Sequence, residues 1–394
     1  MYLQTLDLTD YRNYGELRLT LGPGRFVLAG DNAQGKSNLC EAIRLLATMR
    51  SFRAASDREL VRWGAPGYFA RIESTITRAI GPLDLEIIIS APPVADDPLR
   101  QPTPTVADMP LPTKLASAGK RIRVNGAPKR ALDCVGLVTV VLFEPADLDL
   151  VVGPPVGRRH FLDVTLCQIS HSYCRALSQY QRVLTQRAAL LKRIRDNQDD
   201  QRSLTYWDGL MAELAAPIIT ERAGLVARCM PPADEVARRL GGTGLTLTYQ
   251  PSFPVAPATP TAEIIAAFTE RLAALRRREI AQGVNLLGPH RDDLAFFTGS
   301  INLATYGSRG QQRVAALALK LAELEAIEVE TGDQPILVLD DVLSELDPTR
   351  RGALLAGVTE IAQVILTTAE PATLPATFVA NAHMLEVRAG TVSA

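Results

Sequence analysis

The segment GDNAQGKS, Gly30 to Ser37, constrains the fold of this 394-residue chain more than any other stretch. It matches the pattern G-x-x-x-x-G-K-[ST], whose glycines let backbone N–H groups wrap around a chain of phosphates. It follows a predicted short strand, RFVLAG, and opens a predicted helix from Ser37 to about Met49. A chance match in a glycine-containing turn is the alternative, and the strand–turn–helix context argues against it.

This loop predicts a nucleotide site with ATP and Mg²⁺ as cofactors. Lys36 is expected to reach the β- and γ-phosphates, and the hydroxyl of Ser37 to ligate Mg²⁺. The N-terminus of the following helix adds partial positive charge. The expected ATP-binding residues are Gly30, Asp31, Asn32, Ala33, Gln34, Gly35, Lys36, Ser37 and Asn38.

The segment PILVLDD is an apolar strand that ends in two acids, Asp340 and Asp341. A carboxylate at the end of a buried strand is costly unless it meets a cation. Asp340 is therefore the expected partner of Mg²⁺, together with Ser37. Asp341 is the expected catalytic residue beside Lys36, placed to orient or deprotonate an attacking water. Many strands end in Asp, so the pattern gains its weight from the phosphate loop.

Two further helix starts carry candidate residues. In SELDP, Asp347 fits an N-cap and Pro348 the first helical position, while Ser344 and Asp347 are also expected close to the site. In YGSRGQQRVAALALKLAEL, Ser308 and Gln311 fit an S-x-x-Q capping box. Such a helix start could equally face a ligand from outside the chain.

The order of patterns along the chain predicts an α/β architecture. Residues 1–154 are β-rich, residues 155–285 have helical periodicity, and residues 286–394 alternate helices and strands. This order indicates a mixed β-sheet core with helices, divided by a compact helical lobe without a long coiled coil. The proline-rich stretch Ser90–Ser117 is interpreted as a loop-like insertion.

Composition bounds the function classes. The formal net charge is -1, so a nucleic-acid site requires a local basic patch. The five cysteines form no C-x-x-C pair, which disfavours a zinc site and a disulfide framework. The N-terminal residues do not resemble a signal peptide, and we expect a soluble cytoplasmic protein.

The motifs together resemble the ABC/SMC-type ATPases and, more closely, the RecF family of bacterial DNA replication and repair proteins. The matching stretches span nearly the whole chain in the family's order: LTDYRNY, GDNAQGKSNLCEAI, RSFR, FEPADLDLVVGPPVGRRHFLD, LLGPHRDDL, YGSRGQQR and LVLDDVLSELD. The resemblance implies that Ser308, Gly310 and Gln311 form a signature that meets the γ-phosphate held by a second subunit. It also implies that Ser344 and Asp347 form the D-loop, and that Thr367 occupies the switch position.

The resemblance further implies a homodimer that closes on ATP and binds gapped DNA and single-strand/double-strand junctions. Its implied role is to help RecO and RecR load RecA in recombinational gap repair and SOS induction, as a weak DNA-stimulated ATPase. Threonine in place of histidine at the switch implies slow hydrolysis. No membrane partner is expected.

Two other functions stay open. One is an ATP-dependent nuclease of the overcoming-lysogenization-defect type, although only about 50 residues follow Asp341, few for an added domain. The other is a scaffold that binds ATP without hydrolysing it. The segment GPHRDD, Gly288–Asp293, could hold a metal, but a structural network is the favoured interpretation.

Three basic clusters are candidate DNA contacts, and an exposed, solvated face is an equally good explanation of each. Sparse aromatic residues among them disfavour base stacking. The clusters are Lys120, Arg121, Arg123, Lys129 and Arg130 on a hairpin; Arg182, Arg187, Lys192, Arg193 and Arg195 on a helix; and Arg276, Arg277 and Arg278 on another helix.

Overall fold

The computed structural model describes residues 1–91, 119–241, 243–253, 255–256 and 259–393. Almost all of the proline-rich stretch expected to be an insertion lies outside these residues. The chain divides into two compact units: unit 1 comprises residues 1–145 and 331–394, and unit 2 comprises residues 146–330. Residues 286–330, which the sequence analysis grouped with the C-terminal ATPase half, therefore belong to unit 2. Within the described ranges, no helix is both long and apolar enough to span a bilayer.

The N-terminal part of unit 1 forms an antiparallel sheet, as the alternating segments predicted. In chain order the elements up to residue 143 are β1 (Tyr2–Leu3), β2 (Thr5–Tyr11), β3 (Tyr14–Thr20), β4 (Gly24–Ala29), α1 (Lys36–Thr48), β5 (Phe69–Arg78), β6 (Gly81–Ser90), β7 (Gly119–Val124), β8 (Ala127–Lys129) and β9 (Val140–Phe143). The strand order of the antiparallel sheet is β3-β2-β5-β6-β7-β8, with β1 paired to β5, whereas β4 and β9 belong to a second sheet.

The predicted hairpin is present between β7 and β8. Asn125 and Gly126 have φ angles of 50° and 79°, as a two-residue turn with both central residues left-handed requires. The strand that carries Pro128 is at the edge of the sheet, where a missing N–H donor is tolerated.

Unit 2 is mainly helical. Its elements are α2 (Pro155–Ile169), α3 (His171–Arg195), α4 (Leu204–Arg239), β10 (Thr246–Gln250), α5 (Thr261–Gln282), β11 (Asp293–Thr298), β12 (Ile301–Asn302), α6 (Leu303–Tyr306) and α7 (Arg309–Thr331). Where the sequence showed one continuous helical pattern, the chain breaks at Ser170. The hydroxyl of Ser170 accepts the N–H of Tyr173 at 3.2 Å and caps α3.

The C-terminal part of unit 1 completes a second, mostly parallel sheet. Its elements are β13 (Ile336–Asp340), α8 (Pro348–Gly357), β14 (Gln363–Thr368), α9 (Ala376–Val379), β15 (Ala382–Arg388) and β16 (Thr391–Ser393). The strand order is β16-β15-β4-β14-β13-β9. Strands β4, β14 and β13 are parallel neighbours, so their carboxyl ends meet at one edge. In open parallel sheets ligands bind outside this edge.

A buried cation lies at the centre of unit 2. Arg187 is fully buried and donates to Asp208 at 2.8 Å, Glu279 at 2.6 Å and Asn285 at 2.7 Å. These contacts join α3, α4 and α5 with the segment that follows α5. The structure thus excludes Arg187 as a DNA contact, because its guanidinium is used inside the unit.

Replacing Arg187 with Met should lower the free energy of unfolding by about 3–5 kcal/mol, because Glu279 would remain buried without a cation and Asp208 would keep only Arg276. Arg182→Met, at an exposed position of the same helix, is the matched control and should stay within about 0.5 kcal/mol of the wild type. Urea denaturation followed by circular dichroism measures both. Equal stability of the two variants would contradict the network's role.

Candidate nucleotide-binding site

The phosphate loop joins β4 to α1, as predicted. A Cβ on Gly30 would clash with the carbonyl oxygen of Val387, so only glycine fits against that strand. Nζ of Lys36 donates to the carbonyl oxygens of Gly30 at 2.5 Å and Asp31 at 2.8 Å. The lysine therefore lies along its own loop, where its charge faces the space that the loop encloses.

Residues from the LTDYRNY segment brace this loop from one side. Asn13 donates to the carbonyl oxygen of Gln34 at 2.9 Å and accepts from the amide of Asn38 at 2.8 Å. The hydroxyl of Tyr14 donates to the carbonyl oxygen of Gly35 at 3.0 Å. A Cβ on Gly35 would lie 2.7 Å from both side chains. The sequence analysis quoted this segment but assigned it no role.

The turn between β15 and β16 holds the loop from another side. The N–H of Gly390 donates to the carbonyl oxygen of Gln34 at 3.1 Å, and the N–H of Ala389 donates to Oε1 of Gln34 at 2.7 Å. Gln34 is thus fixed through both its backbone and its side chain. No local sequence signal indicates a contact between residues 355 positions apart.

The carboxylate of Asp340 connects the three motifs at the sheet edge. Its Oδ1 accepts from the hydroxyl of Ser37 at 3.0 Å and from the hydroxyl of Thr367 at 2.8 Å. Asp340 is only 5% exposed, so these donors compensate its desolvation. The structure therefore brings together the loop serine, the first strand-end acid and the switch threonine.

Cys40 lies beside Asp340, and the sequence analysis gave it no role. It is fully buried on α1, one turn after Ser37. Burial, followed by the charge of Asp340 and a hydrogen bond to it, raises the pKa of the Cys40 thiol. The thiol therefore stays protonated and adds a weak donor beside the carboxylate.

Asp341 follows in a left-handed conformation, with φ of 54°. Its N–H donates to the hydroxyl oxygen of Thr367 at 2.9 Å, and its carbonyl accepts from the hydroxyl of Ser344 at 2.7 Å. Burial raises the pKa of the Asp341 carboxyl, Lys36 lowers it, and Asp340 raises it further. A carboxylate of raised basicity is better suited to accept a proton from water.

The turn after Asp341 has the predicted cap. The carboxylate of Asp347 accepts the N–H of Arg350 at 3.0 Å, with Pro348 at the first helical position of α8. Ser344 and Asp347 are both exposed. They are thus available at the surface of unit 1, while the hydroxyl proton of Ser344 is used within its own turn.

The donor set at the sheet edge fits Mg²⁺. The Ser37 hydroxyl and the Asp340 carboxylate are hard oxygen ligands 3.0 Å apart. Mg²⁺ in nucleotide sites commonly uses one or two such protein ligands and completes its shell with phosphate oxygens and water. When bound, the metal would neutralise charge on the phosphates. None of the described residues forms an ion pair with Asp340, so its carboxylate has no cation that the metal would need to displace.

The signature residues lie in unit 2, at the start of α7. The N–H of Ser308 donates to Oε1 of Gln311 at 2.9 Å, and the N–H of Gln311 donates to the hydroxyl of Ser308 at 3.3 Å. This is the predicted capping box. Ser308 and Gln311 are exposed, and Gly310 is partly exposed. A capped helix start can therefore also present its hydroxyl and N–H groups outward.

The side chains of the GPHRDD segment make hydrogen bonds and ion pairs within unit 2. Asp292 is fully buried and accepts from the hydroxyl of Tyr249 and the N–H of Ser252. Asp293 pairs with Arg158 at 2.6 Å. Among the residues that the structure describes, no group of three or more His, Cys, Asp or Glu residues is arranged to hold a metal ion. Burial lowers the pKa of His290 to about 4, so this histidine is neutral at pH 7.

Several basic residues of the three clusters pair with acidic side chains, so fewer of them are available to contact DNA than the sequence suggested. Besides Arg187, two partly buried members form ion pairs: Lys120 pairs with Asp57 at 2.9 Å, and Arg276 pairs with Asp208 at 2.8 Å. Arg123, Arg130, Arg193 and Arg195 also have acidic partners, at 2.7 to 3.3 Å. The cluster members that remain exposed outside those pairs are Arg121, Lys129, Arg182, Lys192, Arg277 and Arg278.

The chain is 40% identical over 406 aligned residues to the DNA replication and repair protein RecF of Chloroflexus aurantiacus, with all of both chains covered. It matches the solved structure of the recombination mediator RecF-ATPrS in the RecFOR pathway, with a TM-score of 0.86, 28% identity, and 100% and 97% of the two chains covered. An SMC head bound to the C-winged helix domain of ScpA matches at a TM-score of 0.53 and 13% identity, covering 100% and 96%. This last likeness shows the ATPase-head fold alone. No protein-family model matches.

Thr367→Val should lower the free energy of unfolding of the nucleotide-free protein by about 1–3 kcal/mol, because it removes a donor to Asp340 and the acceptor for the Asp341 N–H. Thr367→Ser keeps the hydroxyl and should cost only about 0.8 kcal/mol for the lost methyl group. Urea denaturation compares the two. If Thr367→Val were as stable as Thr367→Ser, the hydrogen bonds of the Thr367 hydroxyl would not contribute to the free energy of unfolding.

Proposed function

Because the chain belongs to the RecF family of DNA replication and repair proteins, we propose that it is an ATPase that dimerises on ATP and binds DNA at gaps. The observation that carries the proposal is the joint placement of Ser37, Asp340 and Thr367 at one sheet edge beside the phosphate loop. This placement supports nucleotide binding, and the exposed Ser308 supports a contact with a second copy.

In the proposed reaction the loop N–H groups of residues 30–38 surround the phosphates, and Lys36 turns from its own carbonyls to the β- and γ-phosphates. Ser37 and Asp340 would hold Mg²⁺, which would neutralise charge on the phosphates. Asp341 orients the attacking water and accepts its proton, which its raised pKa favours. Thr367 occupies the switch position; its single hydroxyl proton already goes to Asp340, so it is a poor donor to the γ-phosphate. This supports slow turnover.

The proposed dimer completes each pocket with the signature of the partner. Ser308, Gly310 and Gln311 of one copy would meet the γ-phosphate held by the other, using a hydroxyl and the positive end of α7. Ser344 and Asp347 would lie at the same junction. Closure on ATP and opening after hydrolysis would couple nucleotide state to the grip on DNA.

The proposed cellular role is recombinational gap repair in the cytoplasm. The protein would bind gapped DNA and single-strand/double-strand junctions and, with RecO and RecR, promote RecA loading and SOS induction. Family membership supports DNA replication and repair in general. The preference for gapped DNA and the partnership with RecO, RecR and RecA are what we propose beyond that general role.

Ser308→Arg should leave ATP binding within about twofold of the wild type, because the phosphate loop is built from other residues, but should prevent ATP-dependent dimerisation through steric and like-charge conflict. Light scattering with and without ATP measures assembly, and Lys36→Ala is the control that should lose binding itself. Normal dimerisation of Ser308→Arg on ATP would exclude a pocket shared between copies.

DNA affinity should fall steeply with salt, because the expected contacts are to phosphates. Three double variants compare the remaining exposed pairs: R121Q/K129Q, R182Q/K192Q and R277Q/R278Q. The pair that contacts DNA should reduce the slope of log K against log salt by about two. If no pair changes the slope, these clusters do not bind DNA.

Two activity assays separate the remaining functions. DNA incubated with the protein and Mg²⁺ or Mn²⁺ should stay intact, since cleavage would favour the nuclease hypothesis. Release of phosphate from ATP would exclude a scaffold that binds ATP without hydrolysing it.

A further inference from the structure

The second glutamine of the signature segment, Gln312, makes contacts that the proposed site does not use. Its side-chain amide donates one N–H to the carbonyl oxygen of Leu303 at 2.9 Å and the other to the carbonyl oxygen of Gly307 at 3.0 Å. Both donors of the amide are therefore engaged, and both acceptors precede Ser308 in the chain. Gln312 is partly buried, whereas Gln311 is exposed.

The segment that Gln312 holds is already tightly folded. The carbonyl of Leu303 also accepts the N–H of Gly307 at 3.1 Å, which ends α6. A Cβ on Gly307 would lie 2.6 Å from this same oxygen, so the turn leaves no room for a side chain. Asn302 caps the start of α6 by accepting the N–H of Ala304 at 2.9 Å.

Ser308 is the next residue after this turn, and its orientation depends on the turn. The capping box fixes Ser308 relative to α7 through Gln311. Gln312 fixes the peptide on the other side of Ser308, since its partner is the carbonyl of the preceding residue. The two adjacent glutamines thus hold the serine from opposite sides of the chain.

We propose that Gln312 is a positioning residue for the shared nucleotide pocket: it sets the direction in which Ser308 and the first N–H groups of α7 face a triphosphate bound by a second copy. This inference rests on the proposed function. It concerns a residue that touches no nucleotide, so its loss should affect assembly and leave the binding of ATP to a single copy unchanged.

The informative substitution is Gln312→Glu, which keeps the size of the side chain and removes both N–H donors. The new carboxylate would face two carbonyl oxygens and be repelled by them. At the fourth position of α7 an acidic residue is itself favourable, because it lies near the positive end of the helix. A defect would therefore come from the turn before Ser308 and not from a weakened helix.

The experiment measures two quantities for each variant in the presence of ATP and Mg²⁺. Isothermal titration at low protein concentration measures nucleotide affinity, and analytical ultracentrifugation measures the dimer dissociation constant. Q312E should bind ATP within about twofold of the wild type and dimerise at least about tenfold more weakly, because a misdirected Ser308 would lose about one or two hydrogen bonds to the triphosphate held by the other copy. Gln282→Glu, at an exposed position on α5, is the matched charge control and should match the wild type in both.

A purely stabilising role would give a different result. It would lower the melting temperature and leave the dimer constant of the folded protein unchanged, and that outcome would overturn the inference. If Q312E fails to fold, Gln312→Met leaves the carbonyls unpaired without repulsion and is measured in the same way. The proposed function is tested separately by Ser308→Arg. If Ser308→Arg dimerises normally on ATP, the shared pocket is overturned. If Ser308→Arg fails to dimerise but Q312E dimerises as well as the wild type, only the role of Gln312 is overturned.

Discussion

The structure of unit 1 depends on one carboxylate. Asp340 brings a negative charge to the buried end of β13, and two hydroxyls satisfy it there, one from the phosphate loop and one from β14. Strand β14 lies between β4 and β13 in the sheet. Thr367 on β14 can therefore reach Asp340 on the neighbouring strand β13. The charge thus fixes the relative positions of the three chain segments that a nucleotide needs.

The motifs that could be predicted from the sequence are those whose physics is local. The strand–turn–helix context of the phosphate loop, the cap at Asp347 and the capping box at Ser308 each depend on a few neighbouring residues, and each is found as expected. The bracing of the loop by Asn13, Tyr14 and the turn at Gly390 could not be predicted, since it depends on which distant strands become neighbours. Sequence periodicity predicts the strands but not their order.

Helix boundaries show the same limit in unit 2. Local preference would end a helix before the two adjacent prolines Pro231 and Pro232, whereas α4 continues through both to Arg239. Proline removes a backbone donor and favours the end of a helix. Here the last turns bury Ala233 and Ala237 almost completely, and packing outweighs the local preference. Arg187 is a second case: its neighbours on α3 are surface arginines, and only the opposing acids on α4 and α5 distinguish it.

The contact between Gln34 and the turn at residues 389–390 also has a consequence for how the molecule is made. A ribosome releases residue 34 long before residues 389 and 390 are synthesised, so a growing chain carries the loop without that support. Pairing of β4 with β14 and β15 likewise waits for late segments, and contacts so distant in sequence form slowly. The nascent N-terminal half is therefore expected to remain unable to retain nucleotide, and to need protection from aggregation, until residues 363–390 have been synthesised.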